Sequence, residues 1–181
     1  MKSLRFGASM IVLASFVLVG ALGCQTAPPA TTTTATNDSG ERYKDAYRRL
    51  VDVGFNQGDT TIVDSILVEN PVDHMPEMPG VPKGRAGLKA FIVMYRAAFP
   101  DLNIKVEDMV AEGDRLVAYT VMTGTNTGDF MGMKATGKPV RVEGFDLIRF
   151  EGDRMAEHWG VSDDAGMFRQ MGVTPPAGAP Q

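Results

Sequence analysis

Pro100 divides the chain into two kinds of sequence, and that division constrains the fold more than any other feature. Before it, apolar residues recur at helical spacing. Tyr43, Ala46, Tyr47, Leu50, Val51 and Phe55 form one stripe that ends at Gly58. Asp59 is placed to cap a short second helix through "TTIVDSIL". "VENPVDHMP" reads as a short extended segment, and "MPGVPKG" as loop. Leu88, Phe91, Ile92, Tyr95 and Phe99 line a third helix that Pro100 stops. After Pro100 the period falls to two. "LNIKVEDMVAEGDRLVAYTVMTGT" and "KPVRVEGFDLIRFEGDRMAEHWGVSD" each predict two strands around an "EGD" turn. A last helix is expected over 165–171, with Gly172 as its stop. Helices gathered first and strands gathered later predict an α+β fold, with a curved antiparallel sheet wrapped as a cone over three N-terminal helices.

The ends of the chain are of another kind. Lys2 and Arg5 precede the apolar run "MIVLASFVLVGALG", which is too short for an ordinary membrane span and reads as a signal peptide over residues 1–23. The chain's one cysteine, Cys24, follows directly and has no disulfide partner. "ALGC" resembles the lipobox of bacterial lipoproteins, with Ala21 where the family prefers leucine. The resemblance implies lipidation of Cys24, export and anchoring at the cell envelope. Gln25, rather than Asp, after the cysteine favours the outer membrane if the cell is Gram-negative. Plain secretion is the alternative. Residues 24–40, rich in Thr, Pro and Ala, predict a disordered tether, and 174–181 a flexible tail. That leaves one domain over 41–173, large enough for a core and a pocket. With two of the 18 basic residues in the leader, 16 stand against 22 acidic ones, a formal charge of −6. No basic stripe is present, so nucleic acid is not an expected partner. His74 and His158 have no partners at metal spacing, so no metal is expected.

Strand alternation singles out candidate site residues. Val140, Val142, Asp146, Ile148 and Phe150 share one face of their strand, and Asp146 interrupts an apolar row. If Gly152 and Asp153 are the turn, Asp146 lies opposite Trp159 and Val142 opposite Asp163. Asp146, Glu157, Trp159 and Asp163 then share the core face. An acid on such a face is desolvated, which suits a general acid or base. The alternative is a wet acid at the rim. Asp146 and Asp163 would be about 13 Å apart, too far for a proton-sharing pair. Parity points His74 inward and Asp73 outward, while a lone histidine also serves as a structural hydrogen bonder. Met75, Met78, Met131 and Met133 are placed to line a mouth or to pack on the core. Asp164 is the expected helix starter, and a one-residue slip at the turn would exchange its role with that of Asp163.

"FPD", "EGDRL", "GTNTGDFMG", "ATGK" and "EHWGVSD", with "NQGD" and "VDHMP" earlier, resemble in order the SnoaL-like polyketide cyclase (ester cyclase) family. The resemblance covers nearly all of 41–173 and implies the nuclear-transport-factor-2-like cone. It implies chemistry with no cofactor and no metal: intramolecular aldol closure of a polyketide ester by one acid/base Asp. By position after the tryptophan strand that residue is Asp163. Asp146 resembles the oxyanion-hole Asp of ketosteroid isomerase, whose protonated carboxyl is a known case of an acid kept neutral. Asp163, Asp146 and His74 are thus the catalytic candidates. Trp159, Asn126, Glu157, Met75 and Phe130 are the substrate-binding ones. Asn126 stands where many relatives have His, and Val51 near the isomerase's oxyanion tyrosine, which argue against steroid isomerisation. Gly144 and Phe145 precede Asp146 where epoxide hydrolases of this fold carry Arg-x-Asp.

Three functions fit: a cyclase or isomerase acting on a small apolar carbonyl compound, a non-catalytic module binding an apolar ligand, or an assembly protein forming a homodimer through the outer sheet face. Labelled palmitate should enter the wild-type protein in a bacterial host and not Cys24→Ser. Equal labelling of the two, or none in either, would dismiss the anchor.

Overall fold

The computed structural model describes residues 33–78 and 80–174. The leader, Cys24, most of the expected tether and nearly all of the tail lie outside the described residues. The element order is α1 (Thr33–Arg49), a wider-wound π-helical turn (Leu50–Asn56), α2 (Ile62–Ile66), β1 (Leu67–Asp73), α3 (Gly84–Ala98), β2 (Asn103–Glu112), β3 (Arg115–Thr125), β4 (Pro139–Glu151), β5 (Arg154–Ser162) and α4 (Asp164–Met171). The α+β expectation holds: a five-stranded sheet, mostly antiparallel, carries the helices. Helix α1 begins at Thr33, inside the stretch expected to be a tether.

The strand order is β1-β5-β4-β3-β2. The last four strands form the expected meander, and β1 joins the far edge parallel to β5, with Asp73 beside His158. Both "EGD" turns are tight hairpins, Glu112 pairing with Arg115 and Glu151 with Arg154. Gly113 and Gly152 supply the positive φ that such turns require. At the other edge, the Asn56 side chain donates to the Ile104 carbonyl and accepts from its N–H, occupying backbone groups that an open edge would expose.

One local irregularity decides which side chains face the helices. From the turn, Glu151 pairs with Arg154 and Phe150 with Met155, as expected. Then Arg149 pairs with Glu157, leaving Ala156 as the extra residue of a β-bulge. Beyond it the register is shifted by one, so Asp146 lies opposite Gly160, not Trp159. His158, Gly160 and Ser162 therefore share the face of Asp146 and Ile148. Glu157, Trp159 and Val161 turn to the outer face with Leu147 and Phe145. Met155 and Ala156 are both buried, a consecutive apolar pair that breaks the alternation at the bulge.

The inner face carries two apolar clusters. Leu116, Ala118, Ile148, Phe150 and Met155 pack with Tyr43, Tyr47, Leu50, Val51, Ile62, Val63, Ile66, Leu67 and Ile92. Met122, Val140 and Val142 pack with Ala98, Phe99, Leu102, Phe130, Met167, Phe168 and Met171. Phe55 packs against both. Thr120, Gly144, Asp146, His158, Gly160 and Ser162 belong to neither cluster and form a band of small or polar residues between them. The outer face leaves Val110, Val117, Phe145 and Val161 exposed, with Tyr119 stacked on Phe145.

Candidate functional site

Asp146 is the centre of that inner band. Helix α1 brings the Tyr47 hydroxyl onto one carboxylate oxygen. The His158 Nε2 lies 3.0 Å from the other. The His158 Nδ1 is 3.1 Å from Asp73 Oδ1 at the end of β1, and that oxygen also accepts the Met75 N–H at 3.0 Å. The result is a continuous row, Tyr47–Asp146–His158–Asp73, crossing from the core to the surface. The Asp146 side chain is 27% exposed and that of His158 34%, so solvent or a ligand reaches both.

Gly160 makes this approach possible. A β-carbon there would sit 3.1 Å from His158 Nε2 and 3.2 Å from Asp146 Oδ1, inside the pair. The Gly160 N–H points to the Met75 sulfur at 3.1 Å, which seats the loop after β1 against the band. Gly144 is the neighbouring small residue, with Thr120 Oγ1 and Ser162 Cβ each 3.5 Å from where its β-carbon would be.

The electrostatics follow from these contacts. Burial alone would lower the His158 pKa, but hydrogen bonds and charges from Asp146 and Asp73 outweigh it and raise the imidazole to about 9. At neutral pH His158 is therefore an imidazolium between two carboxylates. Burial would raise Asp73, yet His158 and the Met75 N–H outweigh it and hold its carboxyl below the ordinary value. Burial, then the charge and hydrogen bond of Asp146, push the Tyr47 phenol well above its ordinary value, so it remains a donor. Asp146 thus receives an O–H and a cationic N–H from fixed positions.

Several expected site residues lie elsewhere. Asp163 accepts the Gly166 N–H at 2.8 Å as the N-cap of α4, has Arg169 nearby at 3.7 Å, and is 57% exposed. Its neighbour Asp164 is the half-buried acid and accepts from Ser162 Oγ at 2.7 Å. Burial first, and Asp163 in addition, raise its pKa against the lowering effect of Ser162. Asp163, and not the expected Asp164, is thus the cap of α4. His74 stacks on Trp159 at 4.2 Å on the outer face, with Nε2 2.8 Å from Glu157, which Arg149 also binds at 2.6 Å. His74, and not Asp73, is thus the residue turned away from the inner band.

Asn126 is buried, but as a loop staple. It donates to the Gly128 carbonyl and accepts from the Thr136 N–H and hydroxyl, leaving little for a ligand. Phe130 is almost fully buried, edge-on to Tyr95 and Phe99, and is core. Of the expected binding residues only Met75 touches the inner band. Tyr47 and His158 were missed as site residues. A buried tyrosine needs a partner for its hydroxyl, which is the signal Tyr47 offered. The Met155–Ala156 doublet is the signal for His158.

A groove of about 560 Å³ lies elsewhere, between α1 and β2. Lys44, Arg48 and Lys105 mix there with Asp52, Glu107 and Asp108. Neither one charge sign nor apolar surface dominates it, so the site is placed at Asp146 by chemistry rather than by volume.

The charged His158 ring makes stability depend on pH. The imidazolium contributes stability fully below the unfolded-state value near 6.5, and that contribution is lost as pH rises through about 9. In a proton-resolved NMR titration the His158 ring should show a midpoint near 9, which falls in Asp146→Asn. Urea stability should decline between the two values in wild type and less in the variant. A midpoint at or below 6.5 would contradict the arrangement.

Comparison with known proteins agrees with this fold. The family model for SnoaL-like polyketide cyclase matches residues 44–171. Aklanonic acid methyl ester cyclase DauD of Streptomyces sp. (strain C5) is 30% identical over 135 residues, covering 71% of this chain and 80% of that protein. Aklanonic acid methyl ester cyclase DnrD of Streptomyces peucetius is 28% identical over 134 residues, covering 71% and 89%. Among solved structures, TsrD from Streptomyces laurentii superposes with a TM-score of 0.68 at 27% identity, over 74% of this chain and 97% of that one. Wild-type IdmH from Streptomyces antibioticus gives 0.63 at 31%, over 72% and 99%. With its strand order, its helices and its matched span in agreement, the chain belongs to the SnoaL-like polyketide cyclase family.

Proposed function

We propose that this protein is a cofactor-free acid/base enzyme of the ester cyclase type, acting on a small apolar carbonyl compound of the polyketide kind, with Asp146 as its base. One observation carries the reading: a solvent-reachable carboxylate stands between two apolar clusters, held by a buried phenol and an imidazolium. The relatives that cyclise aklanonic acid methyl ester support the reaction class.

In this reading the substrate lies against the inner band, and Asp146 takes a proton from the carbon α to an ester carbonyl. The C–H pair becomes the enolate, whose carbon attacks a ketone of the same molecule. The new C–C bond forms as the ketone π pair moves to oxygen, and that alkoxide takes up a proton to become the alcohol. Tyr47 and His158 fix the carboxylate so that one lone pair of each oxygen stays free. Asp163 is set aside as the base because its carboxylate caps α4 at the surface. The leader and Cys24 support export and lipid anchoring, so the substrate would be met at the cell envelope.

The competing reading, an envelope lipoprotein that binds an apolar ligand without turning it over, predicts a different result. With aklanonic acid methyl ester as probe, Asp146→Asn should lose about 10²–10⁴-fold in turnover while still binding it, and Asp163→Asn should lose little. Wild type that binds the ester with no turnover would favour the carrier. Turnover insensitive to Asp146→Asn would remove the base assigned above.

A further inference from the structure

The parallel strand β1 ends at Asp73, beside His158, and among the described residues no strand continues along the edge of β5 beyond that point. Gly160 lies on that stretch of edge. Its N–H is covered by a side chain instead, the sulfur of Met75 at 3.1 Å. A thioether is a weak acceptor, so the edge is closed weakly where it borders a charged pair. The β-carbon position of Gly160 is 3.1 Å from His158 Nε2 and 3.2 Å from Asp146 Oδ1.

Met75 is held at a second point. Its own N–H donates to Asp73 Oδ1 at 3.0 Å, and the same oxygen lies 3.1 Å from His158 Nδ1. One residue therefore touches the Asp146 row twice, through its sulfur at Gly160 and through its backbone at Asp73. The other titratable groups at His158 are Asp146 from β4 and, behind it, Tyr47 from α1, while His74 bears on Asp73 by its charge. Met75 is half-buried and its neighbours Asp73, His74, Pro76 and Glu77 are exposed, so a small aqueous oxidant reaches the sulfur. Met131 and Met133 are also half-buried, but they pack against the second apolar cluster.

We propose that Met75 is an oxidation site, and that its conversion to the sulfoxide by hydrogen peroxide or another small hydroperoxide uncouples Asp73 from His158. A sulfur lone pair takes one peroxide oxygen, the S–O bond forms as the O–O bond breaks, and the second oxygen leaves as water. Sulfur loses two electrons and the peroxide gains them. The product is a polar side chain in place of an apolar one. Its added oxygen needs room that a 3.1 Å contact with the Gly160 nitrogen does not have. The side chain is therefore driven off Gly160, the Met75 N–H leaves Asp73 with it, and His158 loses a fixed carboxylate. The inference rests on the reading above only in taking the Asp146 row as the working site.

The test is an NMR titration of the His158 ring before and after treating the purified protein with hydrogen peroxide, with oxidised residues located by peptide mass spectrometry. A gain of one oxygen at Met75 should accompany a fall of the His158 midpoint from near 9 by about one pH unit, and methionine sulfoxide reductase should restore it. Met75→Leu, its fold checked by circular dichroism, should keep its own midpoint through the same treatment while Met131 and Met133 gain oxygen. Met75 left unoxidised while Met131 and Met133 react would overturn the proposal. So would an oxidised Met75 with an unmoved midpoint, or a peroxide-induced fall that persists in Met75→Leu. Ester turnover plays no part in the readout, so failure here leaves Asp146 as the base, and loss of that base leaves this result standing.

Discussion

The hydrogen bonds on Asp146 are the constraint that orders the rest of the site. A carboxylate between two apolar clusters is costly unless its oxygens are satisfied. Tyr47 from α1 and His158 from β5 meet that need. Removing either donor would leave an under-satisfied charge, at about 1–3 kcal/mol and less where water reaches the exposed part. The requirement propagates outward. His158 must face inward, so β5 must be bulged at Ala156. Gly160 must lack a side chain, so that Asp146 and His158 can meet across it. The imidazolium needs a second carboxylate, and Asp73 at the end of β1 provides it, tying the parallel edge strand to the centre.

Much of the scaffold was readable from residue pattern because each element obeys a local rule. The α3 stripe, the stop at Pro100, the two "EGD" turns and the Gly172 cap needed only spacing and backbone preference. Asp146 was legible as an acid in an apolar row. The partners of Asp146 were not, because parity is carried along a strand from its turn and one extra residue reverses it. Trp159, Glu157 and Asp163 were assigned to the inner face by that count, and His158 was lost by it. Asn126 and Phe130 illustrate another limit. A polar or aromatic residue in a loop looks like a ligand contact until its tertiary partners are known, and here both are occupied within the protein.

The family relationship and the site geometry carry different loads. Membership rests on a match across most of the domain, and it brings a reaction class with it. Which acid does the work has to come from this chain's own contacts, since a fold hosts many chemistries. Position after the tryptophan strand selects Asp163, whereas burial and hydrogen bonding select Asp146 and leave Asp163 as a helix cap. The outer apolar face stays separate from that chemistry.

The most direct test of this account is a double-mutant cycle on urea stability at pH 7, with Asp146→Asn and His158→Gln singly and together. A coupling of about 1–3 kcal/mol is expected, with additive behaviour for Asp163→Asn combined with His158→Gln. Additivity of the Asp146 and His158 changes within about 0.5 kcal/mol would mean that the two side chains do not meet. The bulge-set register would then be contradicted, and the site built on it as well.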